Sequence, residues 1–466
     1  MGVALIVAVV LVACAPASHQ PDLGRLYNGL AKQEDPFRNP VIVIPGLLGS
    51  RLVQPSSGAV AWGAFGLGQV DPNRPAGARL VALPMQSGIS LAALRDDVHP
   101  DGALDRLVFN FLGIPLELNA YYRILSVLGV GGYRDQGLAN AIDYGDRHFT
   151  CFQFDYDWRR DIVESARRLD AFINAKRAYV AREIKNRFGV HNNRIKFDIV
   201  AHSMGGLVAR YYVRYGTQDL PADGSLPALT WEGARHIEHL IMIGTPNAGA
   251  TDALLRLTEG IRPAALFPTY PAAVVGTMPS AYQLLPRARH HPLLDTNGQP
   301  VRDLYDPALW QQNQWGLADP SQEKVLKMLL PEIDRSENRR QIALEHQAKV
   351  LRRAKYFAAA MDRPARPPAS LRLFLVAGDS VPTNQTMRFD ARGRLSTVAT
   401  AAGDGTVLRS SALMDERLPS VPQKRLDSPI NWNQVLFLFS DHLGMTEDPA
   451  FTDNVLYFLL EQPRQY

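Results

Sequence analysis

The segment around Ser203 constrains the fold of this chain more than any other part of the sequence. Residues 195–200 (Ile-Lys-Phe-Asp-Ile-Val) have the pattern of a strand, residues 201–206 (Ala-His-Ser-Met-Gly-Gly) follow directly, and residues 207–215 have the pattern of a helix. A serine at a sharp turn from strand to helix is forced to expose its hydroxyl, and small neighbours let the turn close. The pattern predicts a nucleophile elbow at Ser203, although Ala201 stands where the motif usually has its first glycine.

A nucleophilic serine needs a histidine to take its proton and a carboxylate to orient that histidine. In chains with such an elbow, the acid and the histidine follow the serine, each on a loop after a strand. Asp379 follows the apolar run 371–376, whereas Asp404 lies between Gly403 and Gly405. Both acids remain candidates on spacing alone, and the glycine-flanked loop favours Asp404.

His442 is the candidate base, because the apolar run 435–439 has the pattern of a buried strand and leads into Ser-Asp-His-Leu-Gly at 440–444. The alternative is a surface histidine near the end of the chain. His236 and His239 lie three residues apart, but no HExxH pattern is present. The sequence therefore predicts no metal site and no cofactor.

The oxyanion that forms when a serine attacks an ester needs two backbone N–H donors, one after the nucleophile and one on an early loop. Met204 follows Ser203 and supplies the first. The apolar run 41–44 ends in a Pro-Gly turn, which aims the N–H of Leu47 or Leu48 into the site. We take Leu47 as the second donor; the alternative is an ordinary strand and turn.

Seven segments resemble the lecithin:cholesterol acyltransferase family, which includes lysosomal phospholipase A2 and the phospholipid:diacylglycerol acyltransferases. Tyr-Asp-Trp-Arg and Pro-Ser-Ala-Tyr-Gln-Leu-Leu-Pro are far more specific to that family than the elbow. In family order the segments are 44–50 (Ile-Pro-Gly-Leu-Leu-Gly-Ser), 156–159 (Tyr-Asp-Trp-Arg), 201–206, 244–246 (Gly-Thr-Pro), 279–286 (Pro-Ser-Ala-Tyr-Gln-Leu-Leu-Pro), 403–407 (Gly-Asp-Gly-Thr-Val) and 441–443 (Asp-His-Leu).

The resemblance implies an α/β-hydrolase fold with a mostly parallel central sheet, a lid loop and an inserted helical cap. It implies a triad of Ser203, Asp404 and His442, with the N–H groups of Leu47 and Met204 as the oxyanion hole. The implied activity is that of an O-acyltransferase or phospholipase, which acts on a phospholipid or other lipid ester through an acyl-serine intermediate. An alcohol, a sterol or water would accept the acyl group.

Two segments depart from the family. Residues 54–77 contain no cysteine, whereas animal plasma members close this lid loop with a disulfide. Trp62, Phe65 and Leu67 in this stretch suit either a mobile apolar flap or a solvated loop. The second departure is an insertion between the elbow and the acid, at 253–368, which is rich in Leu, Pro and Arg.

A long amphipathic helix is expected inside this insertion. Asp334 and Glu337 resemble a capping box, and apolar residues follow at 342, 350, 351, 354, 357 and 361. Either its basic face meets lipid headgroups, or the helix packs on the sheet with that face in solvent, which we favour. The basic face consists of Arg339, Arg340, Lys349, Arg352, Arg353 and Lys355.

The N-terminal segment resembles a bacterial lipoprotein signal. Residues 3–13 are unbroken apolar, too short for the roughly 20 residues that span a bilayer, and residues 11–14 read Leu-Val-Ala-Cys. The resemblance implies a lipidated Cys14 that holds the protein on a membrane surface, in the bacterial cell envelope at the outer membrane. No Lys or Arg precedes Arg25, so a basic segment is expected upstream of Met1. The alternative is an untargeted apolar N-terminus.

Composition agrees with one catalytic unit, since 466 residues that are 46% hydrophobic and 21% charged can bury an α/β core and a cap. The net charge of +4 is too small and dispersed to indicate nucleic acid. The pattern along the chain predicts a strand over 150–154 and helices over 119–128 and 162–188, the last ended by Gly189. The predicted units are a signal at 1–14, a polar tether at 15–38, a hydrolase core at 39–252 and 369–466, and a cap at 253–368.

Three other functions remain open. The first is a secreted triacylglycerol lipase or carboxylesterase on the same fold. The second is a catalytically silent envelope lipoprotein that binds lipids, and the third is an esterase for sugar or polyhydroxy esters.

Overall fold

A six-stranded sheet forms the centre of the molecule, in the order β14-β11-β9-β8-β1-β7. Every strand pairing in it is parallel. With helices packed on both faces, this is the α/β-hydrolase fold that the sequence predicts. The computed structural model describes residues 22–64, 70–104, 107–111, 114–118, 120–192, 194–263, 268–417 and 425–462.

The strands are numbered along the chain. Besides the central sheet they form two three-stranded sheets, β10-β12-β13 and β3-β2-β4, and the hairpin β5-β6. Their bounds are β1 Val41–Ile44, β2 Ser50–Gln54, β3 Ala59–Trp62, β4 His99–Ala103, β5 Leu107–Phe111, β6 Ile114–Leu118, β7 Cys151–Gln153, β8 Phe197–His202, β9 Ile237–Ile243, β10 Leu293–Leu294, β11 Arg372–Gly378, β12 Val381–Phe389, β13 Leu395–Gly403 and β14 Gln434–Leu438.

The α-helices are numbered in the same way. Six of them, α6 to α11, lie between β9 and β11, where the sequence places the insertion. The bounds are α1 Leu23–Lys32, α2 Pro75–Val81, α3 Ala120–Val130, α4 Ile162–Phe188, α5 Met204–Tyr215, α6 Thr251–Glu259, α7 Ala272–Val275, α8 Pro279–Gln283, α9 Pro307–Gln312, α10 Glu323–Leu329, α11 Ser336–Asp362, α12 Arg409–Leu413 and α13 Pro449–Leu460.

Alternation along the strands divides the apolar core into two layers, because successive side chains of a strand point to opposite faces. In β1, Ile42 and Ile44 join the layer that contains α4, α5 and α11. Val41 and Val43 join the layer that contains α1, α3 and α13. Both layers are buried at the sheet, and the loops emerge at the ends of the strands.

Helix α4 forms as predicted over residues 162–188. Asp161 caps its first turn by accepting the N–H of Val163, and Gly189 ends it with φ 68°. Glycine suits that left-handed position because it has no Cβ to clash. The other two predicted elements also form. The helix predicted over 119–128 runs over Ala120–Val130, and the strand predicted over 150–154 is one residue shorter at each end, at Cys151–Gln153.

Two expectations about local structure are wrong. The described part of the expected polar tether contains helix α1. This helix packs on the core through Tyr27, which is 1% exposed, and Leu23 and Leu30 complete its apolar stripe. Helix α11 begins at Ser336 after Arg335 and has no side-chain cap, so the expected capping box at 334–337 does not form.

The expected lid stretch is only partly described. Trp62 is buried and its ring lies edge-on to Trp158 and Tyr270, at centroid distances of 5.9 and 5.8 Å. Trp62 is therefore not an incidental aromatic in a solvated loop. Phe65, Leu67 and Cys14 lie outside the described residues, so a mobile flap and a lipid anchor stay predictions, as do the limits of the cap. Within the described ranges, none of the helices is long and apolar enough to cross a bilayer.

Candidate active site

Ser203 occupies the sharp turn between β8 and α5, with φ 54° and ψ −126°. Its own N–H donates to the carbonyl of Ile243 at 2.7 Å, which ties the turn to the neighbouring strand β9. A Cβ at Gly205 would lie 2.5 Å from the carbonyl oxygen of Pro45, and one at Gly206 would lie 2.0 Å from Thr245 Oγ1. The two glycines are therefore required by close approach. Ala201 is fully buried, so its methyl group fits where the motif usually has glycine.

Ser203, His442 and Asp404 form a chain of hydrogen bonds. His442 Nε2 lies 3.0 Å from Ser203 Oγ, and His442 Nδ1 lies 2.8 Å from Asp404 Oδ2. A carboxylate can only accept, so Nδ1 carries the proton and Nε2 is left to accept the serine proton. The three side chains lie on loops after β8, β13 and β14, which the topology brings to one region of the molecule.

The environment of Asp404 keeps its carboxylate ionised. Burial alone would raise the pKa of Asp404, but the charge and hydrogen bond of His442 and two backbone donors hold it below its ordinary value. Those donors are the N–H groups of Val407 and Thr406, which lie 2.7 and 2.9 Å from Oδ1. The tight Gly-Asp-Gly turn thus supplies both donors to the oxygen that His442 does not use.

Asp379 does not reach His442. Its Oδ2 lies 3.9 Å from Arg409 Nε, and its Oδ1 is buried without a hydrogen-bond partner among the described residues. Of the two acids that spacing alone left open, the structure therefore brings only Asp404 to the histidine.

The loop after β1 lies directly against Ser203. A Cβ at Gly46 would lie 2.8 Å from Ser203 Cβ and 3.3 Å from Ser203 Oγ, so only glycine fits. The N–H of Leu47, the next residue, and that of Met204 donate to no protein atom in the described part of the chain. Two unpaired donors beside one nucleophilic oxygen are the arrangement that an oxyanion requires.

Leu48 holds the turn of this loop in a left-handed conformation, with φ 64°. A non-glycine residue in that region is strained and persists only when its surroundings fix it. The indole N–H of Trp62 donates to the carbonyl of Leu48 at 2.7 Å, and Gly49 N–H donates to the carbonyl of Gly46 at 3.1 Å. The first strand pair of the expected lid region thus helps to shape the loop beside Ser203.

The Tyr-Asp-Trp-Arg segment braces both ends of the same loop. The hydroxyl of Tyr156 donates to the carbonyl of Pro45 at 2.9 Å, and the indole N–H of Trp158 donates to the carbonyl of Ser50 at 3.1 Å. Arg159 is fully buried and holds Asp157 with two hydrogen bonds of 2.9 and 2.7 Å. Ser280 and Gln283, in the family-specific segment 279–286, in turn hold the Tyr-Asp-Trp-Arg segment and the residues after it.

Residues 279–286 fix the far side of the Tyr-Asp-Trp-Arg segment. Ser280 Oγ donates to the carbonyl of Trp158 at 2.6 Å. Gln283 accepts the N–H of Ile162 and donates to Asp161 Oδ1, both at 2.8 Å. The two segments that carry most of the resemblance therefore have a common structural role, which is to position the loop beside Ser203.

A buried network that the sequence analysis missed joins the loops of the site. Gly46 N–H donates to the hydroxyl of Tyr121 at 2.8 Å, and that hydroxyl lies 3.3 Å from His202 Nδ1. His202 Nε2 lies 3.0 Å from the backbone carbonyl of His442. With the proton on Nε2, every donor in this network meets one acceptor. The sequence placed Tyr121 in a helix and His202 in the elbow, but gave no signal that they meet.

His202 stays neutral in this network. Burial, with a smaller contribution from the charge of His442, lowers the pKa of His202 to about 3. The ring therefore cannot compete with His442 for a proton at neutral pH. A fixed neutral tautomer suits a group that holds a backbone carbonyl in place.

Apolar side chains are exposed next to His442. Phe439 is 87% exposed and Leu443 is 39% exposed, on the loop that carries the histidine. These two side chains place apolar surface beside His442.

Two other histidines, His239 and His290, have structural partners. His239 is buried beside Asp198, with Nδ1 3.1 Å from the carboxylate, and His290 lies 3.1 Å from Glu416. Within the described ranges, no group of three or more His, Cys, Asp and Glu residues is placed to hold a metal ion.

The model of one protein family, described as lecithin:cholesterol acyltransferase, matches residues 139–435, which is more than half of the chain. The matched range includes Ser203 and Asp404. It begins after Leu47 and Tyr121 and ends before His442, so for these three residues the geometry is independent of the match. No curated protein matches the chain.

Among solved structures, a chain of the Tle4–Tli4 complex is similar at 15% identity and a TM-score of 0.51, with 92% of this chain and 99% of that chain covered. A likeness at that identity shows the fold alone. The mature lipase BlEst2 of Bacillus licheniformis covers 92% of this chain and 94% of its own, at 14% identity and TM-score 0.31. The match to lipase 1 from Pelosinus fermentans covers 92% of this chain and 100% of that chain, at 12% identity and a TM-score of 0.33. Both overlap too loosely to bear on the fold.

Proposed function

Because this chain belongs to the lecithin:cholesterol acyltransferase family, we propose that it transfers or hydrolyses the acyl group of a lipid ester, with Ser203 as nucleophile. The observation that carries the proposal is the hydrogen-bonded chain from Asp404 through His442 to Ser203. Such a chain lets a neutral serine attack an ester at neutral pH.

In the first step, Ser203 Oγ attacks the ester carbonyl carbon while its proton passes to His442 Nε2. The imidazolium that forms is stabilised by the ionised Asp404, which accepts a hydrogen bond from its Nδ1–H and stays unprotonated. The N–H groups of Leu47 and Met204 donate to the oxyanion, and each contributes about 3 kcal/mol to the stability of the transition state.

Collapse of the tetrahedral intermediate breaks the bond to the leaving alcohol, which takes the proton from His442 Nε2. The acyl group is then an ester of Ser203. In the second half-reaction, His442 takes a proton from water or from an acceptor alcohol as the oxygen of that molecule attacks the acyl carbon. The bond from the acyl carbon to Ser203 Oγ then breaks, and Oγ takes the proton back from His442 Nε2. Water gives a free acid and an alcohol gives a new ester, so the balance depends on which molecule is held beside His442.

The surroundings of His442 suit a lipid substrate. Phe439 and Leu443 expose apolar surface on the same loop as the base. A lipid ester that enters past these side chains would bring its acyl chain against apolar groups while its carbonyl reaches Ser203.

The test is incubation of the purified protein with phosphatidylcholine vesicles, with and without a long-chain alcohol or a sterol, followed by mass spectrometry of the products. We expect free fatty acid and lysophospholipid, together with an acyl ester when the alcohol competes with water. All products should be lost in Ser203→Ala, whose fold is checked by circular dichroism.

Other outcomes would contradict parts of the proposal. Turnover at the wild-type rate in Ser203→Ala would exclude this serine as nucleophile. Activity on triacylglycerol emulsions but not on phospholipid vesicles would make the protein a neutral lipase. Lipid binding without any product would make it a catalytically silent lipid-binding protein.

A further inference from the structure

A cleft of about 610 Å³ lies between the start of α4, the middle of α11 and the loop at 83–95. Neither Ser203 nor His442 lines it. Its volume falls within the range of small-molecule sites, about 300–1,000 Å³. The cleft is therefore a candidate ligand site apart from the catalytic groups.

Positive charge exceeds negative charge around this cleft. Six cationic side chains line it against four carboxylates. The cations are Arg95, Arg160, Arg167, Lys349, Arg352 and Arg353, and the acids are Asp161, Glu164, Asp219 and Glu345. The formal excess of two positive charges favours an anion over a neutral or cationic ligand.

Each of the four acids is paired with at least one cation, which offsets its negative charge at the cleft. Arg353 bonds both Asp161 and Asp219. The remaining pairs are Arg167–Asp219 at 2.8 Å, Arg95–Glu164 at 2.6 Å, Arg160–Glu164 at 2.9 Å and Lys349–Glu345 at 2.8 Å.

Arg352 differs from the other five cations. It is exposed, and it makes no ion pair with any residue that the structure describes. Its guanidinium can therefore bond a carboxylate or phosphate through two parallel N–H donors without breaking an existing pair. It belongs to the basic face of α11, whose role the sequence left open.

Part of the lining of the cleft forms an apolar wall. The wall consists mainly of Leu83, Pro84, Ile89, Leu91, Leu220 and Pro279.

The wall is tied to the charged helix. Glu345 accepts the N–H of Gly88 at 2.7 Å and the hydroxyl of Ser87, and Lys349 donates to the carbonyl of Ile89 at 2.7 Å. These contacts tie the part of the wall that contains Ile89 to the helix that carries Arg352.

We propose that this cleft binds an amphiphile with an anionic head group, such as an alkyl carboxylate or alkyl phosphate. The head group bonds Arg352 and the alkyl chain lies along the apolar wall. This site is independent of the proposed chemistry at Ser203, because none of its lining residues belongs to the triad or to the oxyanion loop.

Calorimetric titration of the wild-type protein tests the proposal with three probes. Dodecyl phosphate, below its micelle concentration, supplies both the anionic head and the chain. Dodecyl maltoside supplies the same chain with a neutral head, and inorganic phosphate supplies the anion alone. None of the three is a carboxylic ester, so failure of catalysis does not affect the result.

We expect dodecyl phosphate to bind at least about tenfold more tightly than either of the other probes. Its affinity should fall as added salt screens the charges. Arg352→Glu should reduce its affinity about tenfold or more. Arg340→Glu is the matched control, because Arg340 is exposed on the same helix but does not line the cleft. Ile89→Asn should weaken dodecyl phosphate and leave inorganic phosphate unchanged.

Several results would overturn the proposal. Equal affinity for the phosphate and maltoside amphiphiles would mean that charge plays no part. Binding that is insensitive to Arg352→Glu, or reduced equally by Arg340→Glu, would place the ligand elsewhere. Equal binding of inorganic and dodecyl phosphate would show a simple anion site without an apolar wall.

Discussion

The carboxylate of Asp404 accepts a hydrogen bond from Nδ1–H of His442, whereas Asp379 lies near Arg409. An amide in place of Asp404 can present a donor to Nδ1 and favour the wrong tautomer of His442. We expect Asp404→Asn to lower turnover about 10³- to 10⁴-fold. Asp379→Asn is the matched control and should retain most activity. A larger loss in Asp379→Asn than in Asp404→Asn would mean that the acid has been misassigned.

The hydroxyl of Tyr121 joins the oxyanion loop to the elbow. Without it, the N–H of Gly46 and Nδ1 of His202 lose their buried partner, and small misplacements at a reacting centre cost large factors in rate. We expect Tyr121→Phe to slow the reaction of Ser203 with a fluorophosphonate at least about tenfold, while melting behaviour stays close to wild type. The adjacent exchange Tyr122→Phe is the control and should leave the rate unchanged. Equal rates in both variants would show that the Tyr121 hydroxyl does not position the groups around Ser203.

Residue roles differed in how far the sequence could predict them. Ser203, Asp404 and His442 follow runs of contiguous residues whose strand and turn signals can be identified one at a time. Tyr121 could not be identified in this way, because its hydroxyl meets residues 75 positions before it and 81 positions after it. Such contacts depend on the packing of α3 against the sheet, which no local pattern encodes.

At the scale of elements, the loop after β14 carries both the proposed base, His442, and exposed apolar side chains. If this loop meets a lipid surface, Phe439→Ser should lower the rate on phosphatidylcholine vesicles and leave the rate on a soluble short-chain ester unchanged. Ile142→Ser is a suitable control, since Ile142 is 43% exposed on the segment before β7, at the opposite edge of the sheet. Loss of both rates in Phe439→Ser would instead indicate a structural role.

The elements themselves were predictable where propensity and packing agree. Helix α4 has an apolar stripe, a capping Asp161 and a terminal Gly189, and its limits were predicted correctly. Helix α11 was predicted, but its start was not, because Arg335 occupies the cap position without a side-chain bond and tertiary contacts decide where the helix begins. Helix α1 was missed because its apolar stripe is short and lies among polar residues.

At the scale of the whole molecule, buried neutral histidines make stability depend on pH. Burial lowers the pKa of His346 to about 4, and His346 Nε2 lies 3.0 Å from the carbonyl of Thr277. As pH falls below about 6.5, the unfolded chain takes up a proton at this residue and the native protein does not. The stability is therefore present above pH 6.5 and is lost progressively towards pH 4.

For His346 this loss amounts to about 2 kcal/mol between pH 7 and pH 5. We expect the unfolding free energy in urea to fall by about that much more in the wild type than in His346→Gln, which keeps a donor for Thr277. His202 contributes equally to the pH dependence of the unfolding free energy in both proteins, so its contribution cancels in the difference. An identical pH dependence in the two would show that His346 takes up its proton in the native state.

The proposed nucleophile can be tested most directly by reaction of the folded protein with a fluorophosphonate, followed by intact mass and peptide mapping. If Ser203 is the nucleophile, we expect one adduct, on the peptide that contains Ser203. The adduct should form slowly in Asp404→Asn and should be absent in Ser203→Ala. No adduct on the folded wild-type protein, or an adduct that persists in Ser203→Ala, would contradict the assignment of Ser203 as nucleophile.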